Sequence, residues 1–317
     1  MYKEAKLLID KSNDIYIVGH KNPDGDAIGS SFALYLALKK IGKNVSVIMP
    51  ECSDTFKFLP HIDEAKSSVT LQKYDLLIGV DSSDYTRLAI SEEDFKKADK
   101  VLMLDHHKES APFGDVRYIE SDLPAVSELI YKLINYLKIE IDKDIATYLY
   151  TGIMTDTGSF NYSSTKPSTL IAASELIKTG IDFSDICKRV NDTIKEAKLY
   201  LIEKAIHNME VYNDGKVRYS YVNYDTISKL GLDEEDAEGM TNYLRMVEGT
   251  EVAIYVRGKK DGTNKVSMRS GGNVDVSKIA IHFGGGGHAR AAGYTMYGNI
   301  DDEKKALLDV VEVMLKW

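Results

Sequence analysis

An apolar run leads directly into a charged loop at Ile15-Tyr-Ile-Val-Gly-His20-Lys-Asn-Pro-Asp24-Gly-Asp26. The same order recurs twice, because Asp81 follows the apolar run 76–80 and the tripeptide Asp105-His106-His107 follows the run 101–104. Short apolar runs of this kind predict buried strands of a parallel sheet. Ligands bind outside the carboxyl ends of such strands, so we expect the three polar clusters to meet at one edge of the sheet.

Composition restricts the classes of function that this chain can have. The 317 residues predict two domains, with 44% apolar residues, 28% charged residues and a formal net charge of −9. That acidic balance does not suit a long footprint on duplex nucleic acid, which needs a basic surface. It favours a small substrate or a short oligomer instead.

Cysteine usage and hydropathy predict where the protein works. Cys52 and Cys187 are far apart and lack the spacing of a metal site, so we expect a reducing, cytoplasmic location. No stretch approaches the roughly 20 apolar residues of a membrane span, and the amino terminus does not resemble a signal peptide. We therefore expect no membrane partner.

Strands that alternate with helices predict an α/β fold with a doubly wound, mainly parallel sheet. We assign residues 1–185 to this catalytic domain, 186–212 to a linker helix and 213–317 to a smaller α+β domain, with the active-site cleft between the domains. A single long helix is expected over 191–209, and residues 251–257 and 265–269 are expected to form a hairpin around Asp261-Gly262. In the first domain, strands are expected at 14–19, 45–49, 75–80 and 100–104.

Crowded carboxylates resist joint ionisation, and divalent cations resolve that conflict. An Asp-Gly-Asp stretch alone is usually a turn, and a lone His-His pair usually belongs to the surface or the core. Their combination, with three clusters at strand ends, favours a pair of cations instead. Gly25 would permit a sharp bend, so that Asp24 and Asp26 face different ions, while Asp81 bridges both. The candidate metal ligands are His20, Asp24, Asp26, Asp81, His106 and Asp156.

These residues together resemble the DHH phosphoesterase superfamily. The segment Phe283-Gly284-Gly285-Gly286-Gly287-His288, with Arg269-Ser270 upstream, is similar to the glycine-rich signature of the DHH-associated C-terminal domain. The compact two-domain form resembles the cytoplasmic oligoribonucleases that also dephosphorylate 3′-phosphoadenosine 5′-phosphate. The resemblance implies two Mn²⁺ ions per chain, with Mg²⁺ or Co²⁺ as substitutes, and a homodimer.

The resemblance also implies a role for each residue. His20, Asp24 and Asp81 would hold one ion, and Asp26, Asp81, His106 and Asp156 the other. Asp105 would orient its neighbours, and His107 would face the scissile phosphate, so that the catalytic set is His107, Asp105 and Asp81. Arg87 lies close to Asp81 in sequence. From that position it could contact the phosphate of the substrate, or it could form a structural ion pair, and the sequence favours neither role. The expected substrate-binding residues are Arg269, Ser270, Gly284, Gly285, Gly286, Gly287, His288 and Arg87.

The implied activity is hydrolysis of very short RNA to mononucleotides and removal of the 3′-phosphate of 3′-phosphoadenosine 5′-phosphate. A metal-bridging hydroxide would attack phosphorus. One alternative is a phosphodiesterase of signalling dinucleotides such as pApA, pGpG or cyclic di-AMP. Another alternative is a non-catalytic regulator that binds nucleotides. Such a regulator would be expected to lack one or more of the metal ligands. Manganese pyrophosphatases have a different second domain without the glycine run, which argues against that activity.

Overall fold

A computed structural model describes residues 2–107, 111, 113–234 and 236–315 of the chain. The chain forms two compact units, and the boundary between them falls between Thr193 and Ile194. None of the helices in these described ranges combines the length and apolar character that a membrane-spanning segment needs.

Unit 1 is built on a five-stranded sheet in which every neighbouring pair is parallel, in the order β2-β1-β3-β4-β5. Its strands are β1 (Asp14–Val18), β2 (Asn44–Ile48), β3 (Tyr74–Val80), β4 (Ala98–Asp105) and β5 (Val116–Ile119). The predicted parallel sheet is confirmed. The strand order changes direction between β1 and β3, and ligands bind at such a switch point in open α/β sheets.

The sheet of unit 1 is buried on both faces, as an all-parallel sheet requires. Ile15 and Ile17 of β1 enter a core with Phe32 on one face, whereas Tyr16 and Val18 pack into a second cluster on the other. The helices of unit 1 are α1 (Lys3–Lys11), α2 (Gly25–Lys40), α3 (Glu92–Phe95), α4 (Val126–Leu137), α5 (Lys143–Asp156), α6 (Pro167–Ile177) and α7 (Phe183–Asn191).

Unit 2 contains a six-stranded mixed sheet in the order β10-β11-β9-β8-β7-β6. Its strands are β6 (Glu210–Tyr212), β7 (Val217–Val222), β8 (Val252–Gly258), β9 (Asn264–Ser270), β10 (Gly286–His288) and β11 (Ala291–Met296). Its helices are α8 (Glu196–His207), α9 (Tyr224–Lys229), α10 (Met240–Arg245), α11 (Val276–His282) and α12 (Ile300–Leu315). The predicted α+β character is confirmed, as is the antiparallel pairing of β8 with β9.

The helix expected over 191–209 forms over a shorter range, Glu196–His207. Helix α7 ends at Asn191, and α8 begins only at Glu196. The carbonyl of Lys188 accepts hydrogen bonds from the backbone N–H of Asp192 at 2.9 Å and from the hydroxyl of Thr193 at 3.0 Å, and these contacts close the last turn of α7. The predicted start therefore falls on the last residue of α7, and residues 192–195 separate the two helices.

Candidate metal centre

The candidate ligands of unit 1 lie at the carboxyl edge of its sheet. His20 lies two residues beyond β1, Asp81 directly follows β3, and Asp105 is the last residue of β4. Asp24 caps the start of α2, accepting hydrogen bonds from the backbone N–H groups of Asp26 and Ala27 at 3.0 and 3.1 Å. Three clusters that are distant in sequence therefore meet at the switch point of the sheet.

Asp81 is the centre of this cluster. One carboxylate oxygen lies 3.7 Å from Nε2 of His20, and the other lies 3.6 Å from Nε2 of His106 and 3.8 Å from Nδ1 of His107. The residue is only 3% exposed, and within the described ranges its Oδ1 has no hydrogen-bond partner. A buried carboxylate oxygen without a partner is costly, and a cation would satisfy it.

The backbone orients the two outer imidazoles. Nδ1 of His20 faces the carbonyl of Lys21 at 2.8 Å, and Nδ1 of His106 faces the carbonyl of Leu123 at 3.1 Å. Each Nδ1 must carry its proton to donate there, so in the neutral rings Nε2 presents a lone pair to the carboxylates. A lone pair and a carboxylate oxygen cannot hydrogen-bond to each other. A cation between them would complete the arrangement, as it does for metal-bound histidines whose second nitrogen donates to a carbonyl.

Three overlapping groups of side chains could hold a cation, since the ligand atoms within each lie within 4.8 Å of one another. They are His20 with Asp24 and Asp81, Asp81 with His106 and His107, and Asp26 with His106 and Asp156. Oxygen and imidazole ligands suit Mn²⁺ and related divalent ions. Asp81 and His106 each belong to two groups, which is the sharing that a two-ion site requires.

Asp26 is fixed by the first turn of α4. Its carboxylate is fully buried and accepts hydrogen bonds from the backbone N–H groups of Val126 at 2.6 Å and Ser127 at 2.8 Å. Helix amino termini stabilise negative charge in this way. Nε2 of His106 lies 3.5 Å from Oδ2 of Asp156, the last residue of α5. The backbone therefore supplies the orientation, and the remaining lone pairs of Asp26 are left for a cation.

The electrostatics of the cluster favour the binding of positive charge. Burial raises the pKa of Asp81 well above its ordinary value, and the neighbouring carboxylates of Asp26, Asp24, Asp156 and Asp105 raise it further. Burial also raises the pKa of Asp156, with Asp26 and Asp24 adding to the effect. These carboxyl groups resist joint ionisation on their own, and divalent cations would release their protons.

His107 differs from His106 in its partner. Nδ1 of His107 lies 2.7 Å from Oδ1 of Asp105, whose side chain is fully buried. A carboxylate at this position fixes the orientation of an imidazole and stabilises its charged form. The geometry thus separates His106, directed at Asp81 and Asp156, from His107, which is held by a buried carboxylate.

Close packing of α2 against α5 shapes the site through glycine. A β-carbon at Gly152 would lie 2.8 Å from Oδ1 of Asp26 and would overlap Oγ of Ser127. The sequence reasoning missed Gly152, although an isolated glycine inside a predicted helix indicates such a packing contact. Gly25 does not form the expected bend, because it is the first residue of α2 and its β-carbon position lies 2.5 Å from the Thr155 side chain. The left-handed residue in this loop is Asn22 (φ 55°).

Arg87 lies beside the loop of His20. Its carbonyl accepts a hydrogen bond from the backbone N–H of Lys21 at 2.7 Å, and its guanidinium donates to Oγ of Ser83 at 3.4 Å. Among the residues that the structure describes, no carboxylate forms an ion pair with Arg87, so the structural ion pair weighed from the sequence is not observed there. The side chain is exposed at the rim of the cluster.

In unit 2, strand register brings two predicted substrate-binding residues to one face. Ala291 pairs with Arg269 of β9 on one side and with His288 of β10 on the other. Directly opposed residues share a face, so these side chains lie on the same face, about 10 Å apart at two strand spacings. Ser270 belongs to the opposite face, where it is buried and its hydroxyl donates to the carbonyl of Gly272 at 3.2 Å.

The glycine run continues from the end of α11 into strand β10. Gly284 (φ 75°) lies two residues after His282, the last residue of α11. A β-carbon at Gly285 would overlap the carbonyl oxygen of Gly293, and one at Gly287 would lie 2.5 Å from that of Ala291. Nothing lies within 4 Å of a β-carbon at Gly286. Three of the four glycines thus have a conformational or packing reason, and the described residues give Gly286 neither.

Comparison with known proteins decides the family. Residues 14–153 match the N-terminal domain of the DHH family, and residues 214–316 match the DHHA1 domain. A bifunctional oligoribonuclease and PAP phosphatase NrnA of Thermus thermophilus is 32% identical, over 97% of this chain and 92% of that protein. The chain belongs to the DHH family.

Two further proteins are similar to this DHH family member over nearly its whole length. A bifunctional oligoribonuclease and PAP phosphatase NrnA of Bacillus subtilis is 28% identical, over 100% of this chain and 99% of that protein. The crystal structure of an exopolyphosphatase-related protein from Bacteroides fragilis superposes with a TM-score of 0.89. That protein is 28% identical, and the match covers 99% of this chain and 94% of that one. The two-domain resemblance seen in the sequence is confirmed along the whole chain.

Proposed function

We propose that this protein is a metal-dependent phosphoesterase that hydrolyses very short RNA and removes the 3′-phosphate of 3′-phosphoadenosine 5′-phosphate. The observation that carries the proposal is buried Asp81, whose two carboxylate oxygens face different imidazoles in the cluster of candidate ligands. The similar proteins of Thermus thermophilus and Bacillus subtilis, named for both activities, support the choice of substrates.

The residues have distinct tasks in this proposal. His20, Asp24 and Asp81 hold one cation, and Asp26, Asp81, His106 and Asp156 hold the second. Bound divalent cations allow a water molecule to ionise near neutral pH and offset the charge of the phosphate. We propose that the ions are Mn²⁺, at two per chain, because the candidate ligands combine oxygen atoms with imidazole nitrogens.

His107 moves or shares a proton during the reaction. Because Nδ1 is engaged by Asp105 at 2.7 Å, Nε2 is the ring nitrogen that a phosphate oxygen would meet. In the charged form, Nε2 can donate to the developing negative charge or protonate the departing 3′-oxygen. Asp105 keeps the ring oriented and stabilises that charge.

Unit 2 binds the terminal phosphate of the substrate. Arg269 and His288 lie on one face, beside the open position of Gly286, and together they offer a guanidinium, an imidazole and backbone N–H groups. A 5′-phosphate held there would leave the same 3′-oxygen at the scissile position in a dinucleotide and in a nucleoside bisphosphate. One binding arrangement would then serve both substrates.

The test is product analysis on 5′-phosphorylated and 5′-hydroxyl RNA of two to five nucleotides, with Mn²⁺ and with EDTA. We expect release of mononucleotides that needs the metal and prefers a 5′-phosphate. Arg269→Gln should raise KM for the 5′-phosphorylated dinucleotide only, and Lys265→Gln on the same strand serves as the matched control. Equal rates on both kinds of end would contradict the assigned role of unit 2.

The same assay separates the alternatives. Preferred turnover of pApA, pGpG or cyclic di-AMP in a competition would favour a dinucleotide phosphodiesterase. Nucleotide binding without metal-dependent product would favour a regulator. Pyrophosphate is included because some proteins with a related first domain hydrolyse it. The proposed homodimer can be checked by sedimentation, and the proposed cytoplasmic location by cell fractionation.

A further inference from the structure

The turn after Asp156 has a backbone conformation that side chains rarely adopt. Gly158, Ser159 and Phe160 follow one another with φ values of 54°, 57° and 66°. Each non-glycine residue in the left-handed region costs roughly 1–2 kcal/mol, and consecutive ones are unusual. Backbone strain of this kind persists only where surrounding contacts over-determine it, and it concentrates at functional sites.

Several contacts hold this turn in place. The backbone N–H of Tyr162 donates to the carbonyl of Thr157 at 3.0 Å, and the backbone N–H of Phe160 donates to the Thr157 hydroxyl at 3.0 Å. The side-chain amide of Asn191 donates to Oγ of Ser159 at 3.0 Å. The turn is therefore a fixed support that begins directly at the candidate ligand Asp156.

This support carries an exposed aromatic ring. A β-carbon at Gly158 would lie 2.5 and 2.8 Å from the two Cε atoms of Tyr162 and closer still to Cζ. Those three distances place Gly158 over a face of the ring, because an approach in the ring plane would put Cζ much nearer than either Cε. Tyr162 is nevertheless 56% exposed. Gly158 thus covers one face and leaves the other open.

We propose that Tyr162 is a stacking platform for a nucleobase of the substrate and so a substrate-binding residue. This inference rests on the proposed function and adds the recognition of the base to it. Gly158 packs against the ring and lies two residues after the candidate ligand Asp156, and on this ground we place the stacked base beside the metal centre. Stacking accepts every base, since each has an aromatic face, and it suits an enzyme that degrades short RNA of any sequence.

The test uses pApA and two analogues in which one or the other adenine is replaced by hydrogen, so that the phosphates and riboses are unchanged. Stacking on an aromatic side chain is worth about 1–3 kcal/mol per base, so Tyr162→Ala should raise KM for pApA roughly 5- to 150-fold. Tyr162→Phe keeps the ring and should stay within about twofold of the wild type. The effect of Tyr162→Ala should vanish with one of the two analogues, the one that lacks the stacked base.

Tyr200→Ala is the matched control, because Tyr200 is also 56% exposed and lies on α8, outside the proposed machinery. The Mn²⁺-induced rise in Tm shows whether each variant keeps its metal site. An unchanged KM for pApA in Tyr162→Ala overturns the inference, as does an equal rise for all three substrates, which would indicate a structural role. A wild-type protein that leaves all three substrates intact overturns the proposed function as well.

Discussion

Replacing Asp81 by asparagine should have opposite effects in the metal-free and the metal-loaded protein. Asp81 is buried, its backbone is left-handed (φ 53°), and asparagine adopts that conformation readily. The new amide NH2 group would face Nε2 of either His20 or His106, and each of these atoms accepts a hydrogen bond when its Nδ1 carries the proton. The substitution therefore preserves shape and backbone while it removes a buried negative charge.

The size of the effect follows from the shared position of Asp81. A ligand present at 100 times its Kd stabilises a fold by about 2.7 kcal/mol, and in a unit of this size each kcal/mol raises Tm by about 2–4 °C. We therefore expect Mn²⁺ to raise the Tm of the wild type by roughly 5–10 °C. Asp81 belongs to two of the three ligand groups, so the variant should show a rise below about 2 °C. The activity of the variant should fall more than about 100-fold. Removing a residue that only hydrogen-bonds to a metal ligand typically costs about 10- to 100-fold, and loss of a shared ligand should cost more.

Thermal unfolding with EDTA and with Mn²⁺ measures both effects, and hydrolysis of pApA measures the activity. Asp214→Asn is the control, because Asp214 is exposed and has the same φ of 53°. In EDTA near neutral pH, Asp81→Asn should be at least as stable as the wild type. A variant that keeps the full Mn²⁺-induced rise in Tm, or near-normal activity, would show that Asp81 is not a shared ligand.

Three further outcomes are expected. Asp105→Asn should lower kcat about 10- to 100-fold through His107 while the Mn²⁺-induced rise in Tm remains, and loss of that rise would contradict the assignment. Gly152→Ala should lower Tm, since overpacking against Asp26 costs about 1–3 kcal/mol and exceeds the helix preference of alanine; a higher Tm would contradict the packing. Because the pKa of Asp81 is raised, the metal-free folded protein keeps a proton on this carboxyl that the unfolded chain releases above about pH 4. The contribution of Asp81 to the stability of the metal-free protein therefore falls as pH rises. Measured in EDTA as the Tm of the wild type minus that of Asp81→Asn, the difference should become more negative from pH 5 to pH 8, and a constant difference would refute the linkage.

The parallel sheet and its metal-ligand edge were predictable because two local signals coincide. Apolar runs such as 76–80 and 101–104 identify buried strands, and the polar residue that directly follows each run must then lie at the carboxyl edge. Strand β5 was missed, since its four residues are partly exposed and too few to show a pattern. Strand β10 was missed for a related reason, because glycine disfavours strands and only pairing with β11 makes one.

The errors concern contacts that a linear pattern does not contain. Gly25 looked like the residue that bends the ligand loop, but the bend lies at Asn22, and Gly25 instead allows Thr155 to approach. The helix expected over 191–209 begins only at Glu196, because α7 ends at Asn191 and Thr193 contacts its last turn. The approach of Thr155 to Gly25 arises only on folding, whereas the end of α7 depends on a contact between residues five apart in sequence.

The sequence by itself determined which side chains are available for metal chemistry and that they come together, because strand ends and residue order are local properties. Only the tertiary structure decided how each one is aimed. The carbonyls of Lys21 and Leu123 orient two imidazoles, the first turn of α4 holds Asp26, and buried Asp105 holds His107. Hydrogen bonds depend on distance and angle between groups that are far apart along the chain, so their partners are defined only once the chain has folded.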